Sequence, residues 1–123
     1  MTRYLISFDD GWMVFPEEDL PDVAAAAMKV VREAQDAGVW VFGGGLESQQ
    51  ASIVATDGTI TDGPYPETKE VIGGFAVVDV PSREEALAWA AKTAVACRCA
   101  QEVWELLPDP EQDAMLRQAD TRR

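Results

Sequence analysis

The chain has 123 residues, of which 47% are apolar and 26% charged, and its formal net charge is −12. This length and composition predict one globular domain with a core of its own. A surface this negative repels phosphate backbones and anionic lipid headgroups, which argues against nucleic acid and membranes as partners. No apolar run reaches the ~20 residues of a membrane helix or forms a signal-peptide core. We therefore expect a cytoplasmic protein.

The first half of the chain alternates between strand and helix patterns. Residues 3–8 alternate as a strand does, and an apolar loop follows at 12–15. Residues 20–37 place apolar side chains three and four positions apart, with Gly38 suited to the C-cap, which predicts an amphipathic helix. Residues 39–42 predict a short strand buried on both faces. The Gly43-Gly44-Gly45 run that follows predicts a bulge or a close backbone approach, and it lacks the lysine and helix of a phosphate-binding loop.

The second half contains a hairpin, a strand, a helix and a last strand. Residues 52–55 and 59–61 predict a hairpin with Asp57-Gly58 as its two-residue turn. Residues 75–80 predict a central strand, and Ser82-Arg83-Glu84-Glu85 is a capping box that opens an alanine-rich helix. Residues 102–107 predict the last strand. We place the domain at residues 1–108 and expect residues 109–123 to be a polar tail, either a short helix or a frayed end.

The order of these elements, β-α-β-(β-hairpin)-β-α-β, predicts an α+β fold of the ferredoxin-like kind with both helices on one face of the sheet. The other face is also apolar, because large apolar side chains point to both faces of the sheet. A sheet with one face in water would have fewer of them. An open apolar face of that size would aggregate unless it is covered. A second copy of the chain would cover it by two-fold symmetry, so we expect a homodimer of the dimeric α/β-barrel type.

One loop has the most specific pattern in the sequence. It reads Asp62-Gly63-Pro64-Tyr65-Pro66-Glu67-Thr68-Lys69-Glu70 and is followed by Gly73-Gly74-Phe75. This string resembles the signature of the YCII-related, or DGPF-type, family, with Tyr65 in place of the usual Phe. The resemblance covers about residues 3 to 107 and implies the dimeric ferredoxin-like fold, with a cleft where the Asp-Gly-Pro loop approaches the sheet. A related branch of the family uses a His–Asp pair, which this chain cannot reproduce because it has no histidine.

Asp62 and Lys69 are the first candidates for catalysis. A carboxylate and an amine on one loop fixed by prolines can polarise and protonate a small substrate. The alternative is an ion pair or a turn cap, since an Asp before Gly-Pro often binds its own backbone.

Further candidates could bind a ligand, and each has a structural alternative. Tyr65 could donate a hydrogen bond or pack at a dimer interface, and Glu67 could flank the cleft or be solvated. Asp9 and Trp12 follow the first strand, where Trp12 could cover a pocket or anchor a turn. Arg98, which we expect to lead into the last strand, could bind a carboxylate or pair with one of the many acidic residues. Its neighbours Cys97 and Cys99 have no histidine partner, so we expect no metal site, no catalytic thiol and no cofactor.

Two functional hypotheses follow. In the first, the protein is a small-molecule-binding or regulatory module. In the second, it is a metal-independent enzyme that performs isomerase- or lyase-like acid–base chemistry with Asp62 and Lys69. The absence of histidine favours the first hypothesis.

Overall fold

The computed structural model describes residues 1–63 and 72–121. The strands are β1 (Thr2–Asp9), β2 (Trp40–Gly45), β3 (Ser52–Val54), β4 (Ile60–Asp62), β5 (Ile72–Val80) and β6 (Glu102–Glu105). The helices are α1 (Leu20–Asp36), α2 (Arg83–Cys97) and α3 (Pro110–Thr121). Up to β6 their order confirms the predicted β-α-β-(β-hairpin)-β-α-β arrangement. Within these two ranges, no helix is both long enough and apolar enough to cross a membrane.

Four antiparallel strands form the main sheet in the order β2-β5-β1-β6, and β3 and β4 form a separate hairpin. This is the ferredoxin-like arrangement, in which the first and third strands of the motif lie at the centre. Side chains on one face of the sheet pack against α1 and α2. Ile6, Val78 and Val80 on this face are at most 2% exposed, and the alanines Ala34, Ala86 and Ala90 allow the helices to approach closely.

Both predicted helices have the expected ends. Gly38 adopts φ 75° just after α1, where a left-handed conformation favours glycine. The Ser82 hydroxyl accepts a hydrogen bond from the Glu85 amide at 3.3 Å and so caps α2. Arg98 was expected at the start of the last strand, and this placement is wrong. It ends α2 in a left-handed conformation with φ 58°, and both its own amide and that of Cys99 donate to the Ala94 carbonyl.

The hairpin turn is one residue longer than predicted. The Ala55 amide donates to the Thr59 carbonyl at 2.8 Å and the Gly58 amide donates to the Ala55 carbonyl at 2.9 Å, which leaves a three-residue loop. Only Gly58 in this loop has a positive φ, of 89°. The Asp57 carboxylate accepts the Thr59 amide at 2.9 Å, a bond that lowers the pKa of Asp57. This is a turn followed by a glycine bulge, the other common hairpin geometry.

Strand β2 lies at an edge of the sheet, and the prediction that it is buried on both faces is wrong. Phe42 is 65% exposed, because its side chain points away from the helices. The register against β5 shifts between Trp40 and Phe42, before the glycine run that predicted a bulge, and the three glycines themselves pair in regular register. The predicted close approach occurs at Gly43, where an added Cβ would lie 2.6 Å from the Phe75 carbonyl oxygen.

The sheet face away from α1 and α2 carries an apolar row that crosses all four strands. Cross-strand neighbours share a face, and the register joins Phe42 to Val77, Val77 to Leu5, and Leu5 to Trp104. Helix α3 follows β6, which ends two residues earlier than predicted. An ion pair between Asp113 and Arg3 holds this helix to the neighbouring end of β1.

Candidate functional site

A cavity of about 350 Å³ lies between α1 and the main sheet. It sits where β1 and β2 end and β5 and β6 begin, next to the C-terminal end of α2. Its walls are formed by Ile6, Phe8, Met13, Ala24, Ala27, Met28, Val30, Val31, Trp40, Gly43, Gly44, Gly45, Phe75, Ala76, Thr93, Cys97 and Gln101. The volume is at the lower end of the range for small-molecule sites, which are concave and mostly apolar.

Small residues and glycines explain why this space exists. Ala24 and Ala27 face the cavity from α1, where longer side chains would fill it. A Cβ added at Gly45 would meet no atom within 4 Å. A Cβ at Gly43 would lie 2.8 Å from the Trp40 ring, so this glycine lets the indole lie across β2.

The glycine pair that opens β5 has a related role on the opposite wall. A Cβ added at Gly73 or Gly74 would approach the Phe8 ring to 2.8 Å and 2.7 Å, respectively. These glycines therefore make room for the Phe8 ring, which lines the cavity. This part of the sequence signature thus shapes the cavity wall without providing a polar side chain.

Besides the Trp40 indole, three polar side chains belong to the lining. The Thr93 hydroxyl donates to the Trp89 carbonyl at 2.9 Å, one turn earlier in α2. The Gln101 amide nitrogen donates to the Cys99 carbonyl at 3.4 Å and approaches the Cys99 sulfur at 3.5 Å. Cys97 is buried, and burial raises the pKa of its thiol, so the group is protonated at neutral pH. Cys97 and Cys99 are both free thiols.

The candidates that follow the first strand lie beside the cavity and not in its lining. Asp9 ends β1 beyond a register shift, opposite Ile72. Trp12 ends a short helical turn and is 38% exposed. The residues adjacent to them, Phe8 and Met13, do line the cavity.

Asp62 ends β4 opposite Ser52 and is exposed on the separate hairpin. Lys69, Tyr65 and Glu67 lie outside the described residues, so the geometry of the Asp62–Lys69 pair stays a prediction. Across the described ranges, no group of His, Cys, Asp and Glu side chains is arranged to hold a metal ion.

Arg98 lies on the outer side of the helices. Its guanidinium binds the Asp19 carboxylate at 2.7 Å and lies 5.9 Å from the centre of the Phe15 ring. The side chain thereby connects the end of α2 to the turn before α1. It borders a shallow depression between the two helices, where Lys92 and Glu33 form a second ion pair at 2.9 Å. Arg98 therefore pairs with an acidic residue, which was the alternative to its binding a carboxylate ligand.

The sequence patterns did not single out the cavity residues as functional. Apolar residues that line a cavity have the same spacing as residues that fill a core, so periodicity does not separate them. The available signals were the four consecutive alanines at 24–27 and the two glycine runs. At each of these places the backbone forms or adjoins part of the cavity wall, and the small or missing side chains leave space open.

Comparison with known proteins identifies a family and a similar solved structure. The model of the YCII-related domain family matches residues 4–106. Among solved structures, one match is the 5-chloro-2-hydroxyhydroquinone dehydrochlorinase TftG from Burkholderia phenoliruptrix AC1100, in complex with 2,5-dihydroxybenzoquinone. The identity is 16%, the alignment covers 87% of this chain and 95% of that chain, and the TM-score is 0.50. This likeness supports the ferredoxin-like fold. No curated protein matches the chain.

Proposed function

This chain belongs to the YCII-related domain family, and we propose that it is a homodimer in which each subunit binds an apolar small molecule. The binding site is the cavity between α1 and the main sheet. The observation that carries this proposal is the apolar space of about 350 Å³, with a few polar side chains at its wall. Sites for small molecules have this composition, because apolar walls supply affinity and a few polar groups supply orientation.

The lining supports binding over catalysis. No described residue of the cavity wall carries a charge, and the Cys97 thiol is held in its neutral form by burial, which raises its pKa. General acid–base catalysis needs a group that exchanges a proton near the working pH. A binding or regulatory role requires only that the ligand be held.

The apolar row on the open sheet face supports the homodimer. Phe42 is 65% exposed and Trp104 is 60% exposed at its two ends. Contiguous apolar surface of this kind marks a protein interface, and two copies related by a two-fold axis would bury it symmetrically. The two free thiols support a reducing compartment, and we propose the cytoplasm.

A metal-independent enzyme with acid–base chemistry at Asp62 and Lys69 is the second candidate. The observation that favours it is that a protein of the same fold is named a dehydrochlorinase. Asp62 is exposed and lies directly before the loop that carries Lys69, so the pair would act at the rim of a cleft. This candidate places the chemistry outside the lining described above.

A thermal-shift screen against a metabolite library, with two matched variants, tests the proposal. Ala27 lines the cavity and Ala25 is exposed on the same helix outside it, so Ala27→Leu fills the cavity whereas Ala25→Leu adds the same side chain to the surface. A ligand of the native state raises the melting temperature by mass action. We expect at least one apolar compound to stabilise the wild type and Ala25→Leu, and to lose its effect on Ala27→Leu.

Two other outcomes would count against cavity binding. If no compound stabilises the wild type, the proposal fails. If the stabilisation survives Ala27→Leu but disappears in Asp62→Asn or Lys69→Ala, the ligand is held by the loop, and turnover assays on the second candidate should follow.

A further inference from the structure

Two side chains of the cavity lining, Thr93 and Gln101, have oxygen atoms that can accept a further hydrogen bond, whereas the Trp40 indole adds an N–H donor. The Thr93 hydroxyl already gives its proton to the Trp89 carbonyl, so its remaining capacity is two oxygen lone pairs. The Gln101 amide nitrogen is directed at Cys99, and within the described residues no donor reaches the Gln101 amide oxygen. Cys97 contributes a protonated thiol, which is only a weak donor and a weak acceptor.

The described lining of the cavity has no charged side chain, and this disfavours an ionic ligand. A buried charge needs a partner of opposite sign, because its transfer from water to an apolar space is otherwise very unfavourable. The described lining provides no charged partner for either sign. The net charge of −12 adds a general repulsion of anions.

We infer that the ligand of this cavity is an uncharged molecule with an apolar body and one hydrogen-bond donor, a hydroxyl or an N–H, directed at Thr93 and Gln101. This inference rests on the proposed function and adds the chemical class of the ligand. The donor would bind the oxygen lone pairs of these two side chains, which an apolar ligand would leave unused. Sites that offer hydrogen bonds to a substrate discriminate against analogues that lack the matching group, because polar atoms of the site are then left unpaired.

Three probes that share one apolar body separate these requirements. They are para-propylphenol, which donates a hydrogen bond, para-propylanisole, which has no donor, and para-propylbenzoate, which is an anion at neutral pH. Their dissociation constants are measured by calorimetry on the intact chain. We expect the phenol to bind about 3- to 10-fold more tightly than the anisole, and the benzoate to bind more weakly than either.

Variants of Thr93 and Gln101 test whether these two side chains cause the preference for the phenol over the anisole. The combined Thr93→Val and Gln101→Met substitutions remove both oxygens while keeping similar side-chain lengths, and Thr61→Val makes the first change on an exposed strand away from the cavity. We expect the double variant to lose the preference for phenol while its affinity for anisole changes little. Thr61→Val should behave as the wild type does.

The results distinguish a failure of the inferred ligand class from a failure of the proposed cavity site. If phenol and anisole bind equally well to the wild type and both are lost in Ala27→Leu, the cavity binds ligands and only the inferred donor is wrong. Tightest binding of the benzoate would also overturn the inference. If none of the three probes binds although the metabolite screen finds a ligand of the cavity, the inferred ligand class is wrong, and if neither experiment finds a ligand, the proposed cavity site fails as well.

Discussion

Three consecutive glycines end β2, and they differ in what surrounds them. A Cβ at Gly43 would lie 2.6 Å from the Phe75 carbonyl oxygen and 2.8 Å from the Ala76 Cα, both of which are backbone atoms of the central strand β5. A Cβ at Gly44 or Gly45 would meet nothing within 4 Å. Only the first glycine is therefore required by packing, whereas the third leaves the cavity open.

This difference predicts unequal costs for the same substitution. Gly43→Ala should lower the free energy of unfolding by about 1–3 kcal/mol, because the backbone of β5 has to move to accept the methyl group. Gly45→Ala is the matched control and should change stability by less than about 0.5 kcal/mol. Urea denaturation followed by circular dichroism measures both values. Equal costs at the two positions would contradict the close approach at Gly43.

At the scale of elements, the sequence predicted the helices and the strand order because their signals are local. The periodicity of α1, the Ser82 cap of α2 and the Gly38 conformation each depend on neighbouring residues. The turn of the hairpin was predicted one residue too short. Asp57-Gly58 fits both common hairpin geometries, and the bond from the Thr59 amide to the Asp57 carboxylate accompanies the three-residue loop.

The place of Arg98 and the exposure of β2 depend on tertiary contacts and could not be predicted locally. Arg98 has a left-handed conformation that non-glycine residues seldom adopt, and its side chain binds Asp19, which is 79 residues away in the chain. The apolar run at β2 predicted burial on both faces, and in the single chain Phe42 is exposed because it lies on the sheet face away from α1 and α2. The cavity was also beyond local patterns, since elements from both halves of the chain form its walls.

At the scale of the whole molecule, the apolar row on the open sheet face predicts that the chain forms a dimer through this face. Phe42→Glu places a charge in the apolar row and should convert the proposed dimer into a monomer, because burying an unpaired carboxylate at an interface is strongly unfavourable. Val95→Glu is the matched control, since Val95 is 81% exposed on the outer side of α2. Size-exclusion chromatography with light scattering gives the mass of each variant. A wild-type monomer, or a Phe42→Glu dimer, would contradict the proposed interface.

The central claim, that an apolar molecule binds between α1 and the sheet, is tested most directly by the methionine methyl groups. The chain has four methionines. Met13 and Met28 line the cavity, whereas Met1 and Met115 are exposed elsewhere, at 76% and 58%. In a titration of ¹³C-methyl-labelled protein with para-propylphenol, we predict that the signals of Met13 and Met28 shift while those of Met1 and Met115 stay in place. Shifts confined to Met1 or Met115, or no shift at saturating probe, would contradict the account.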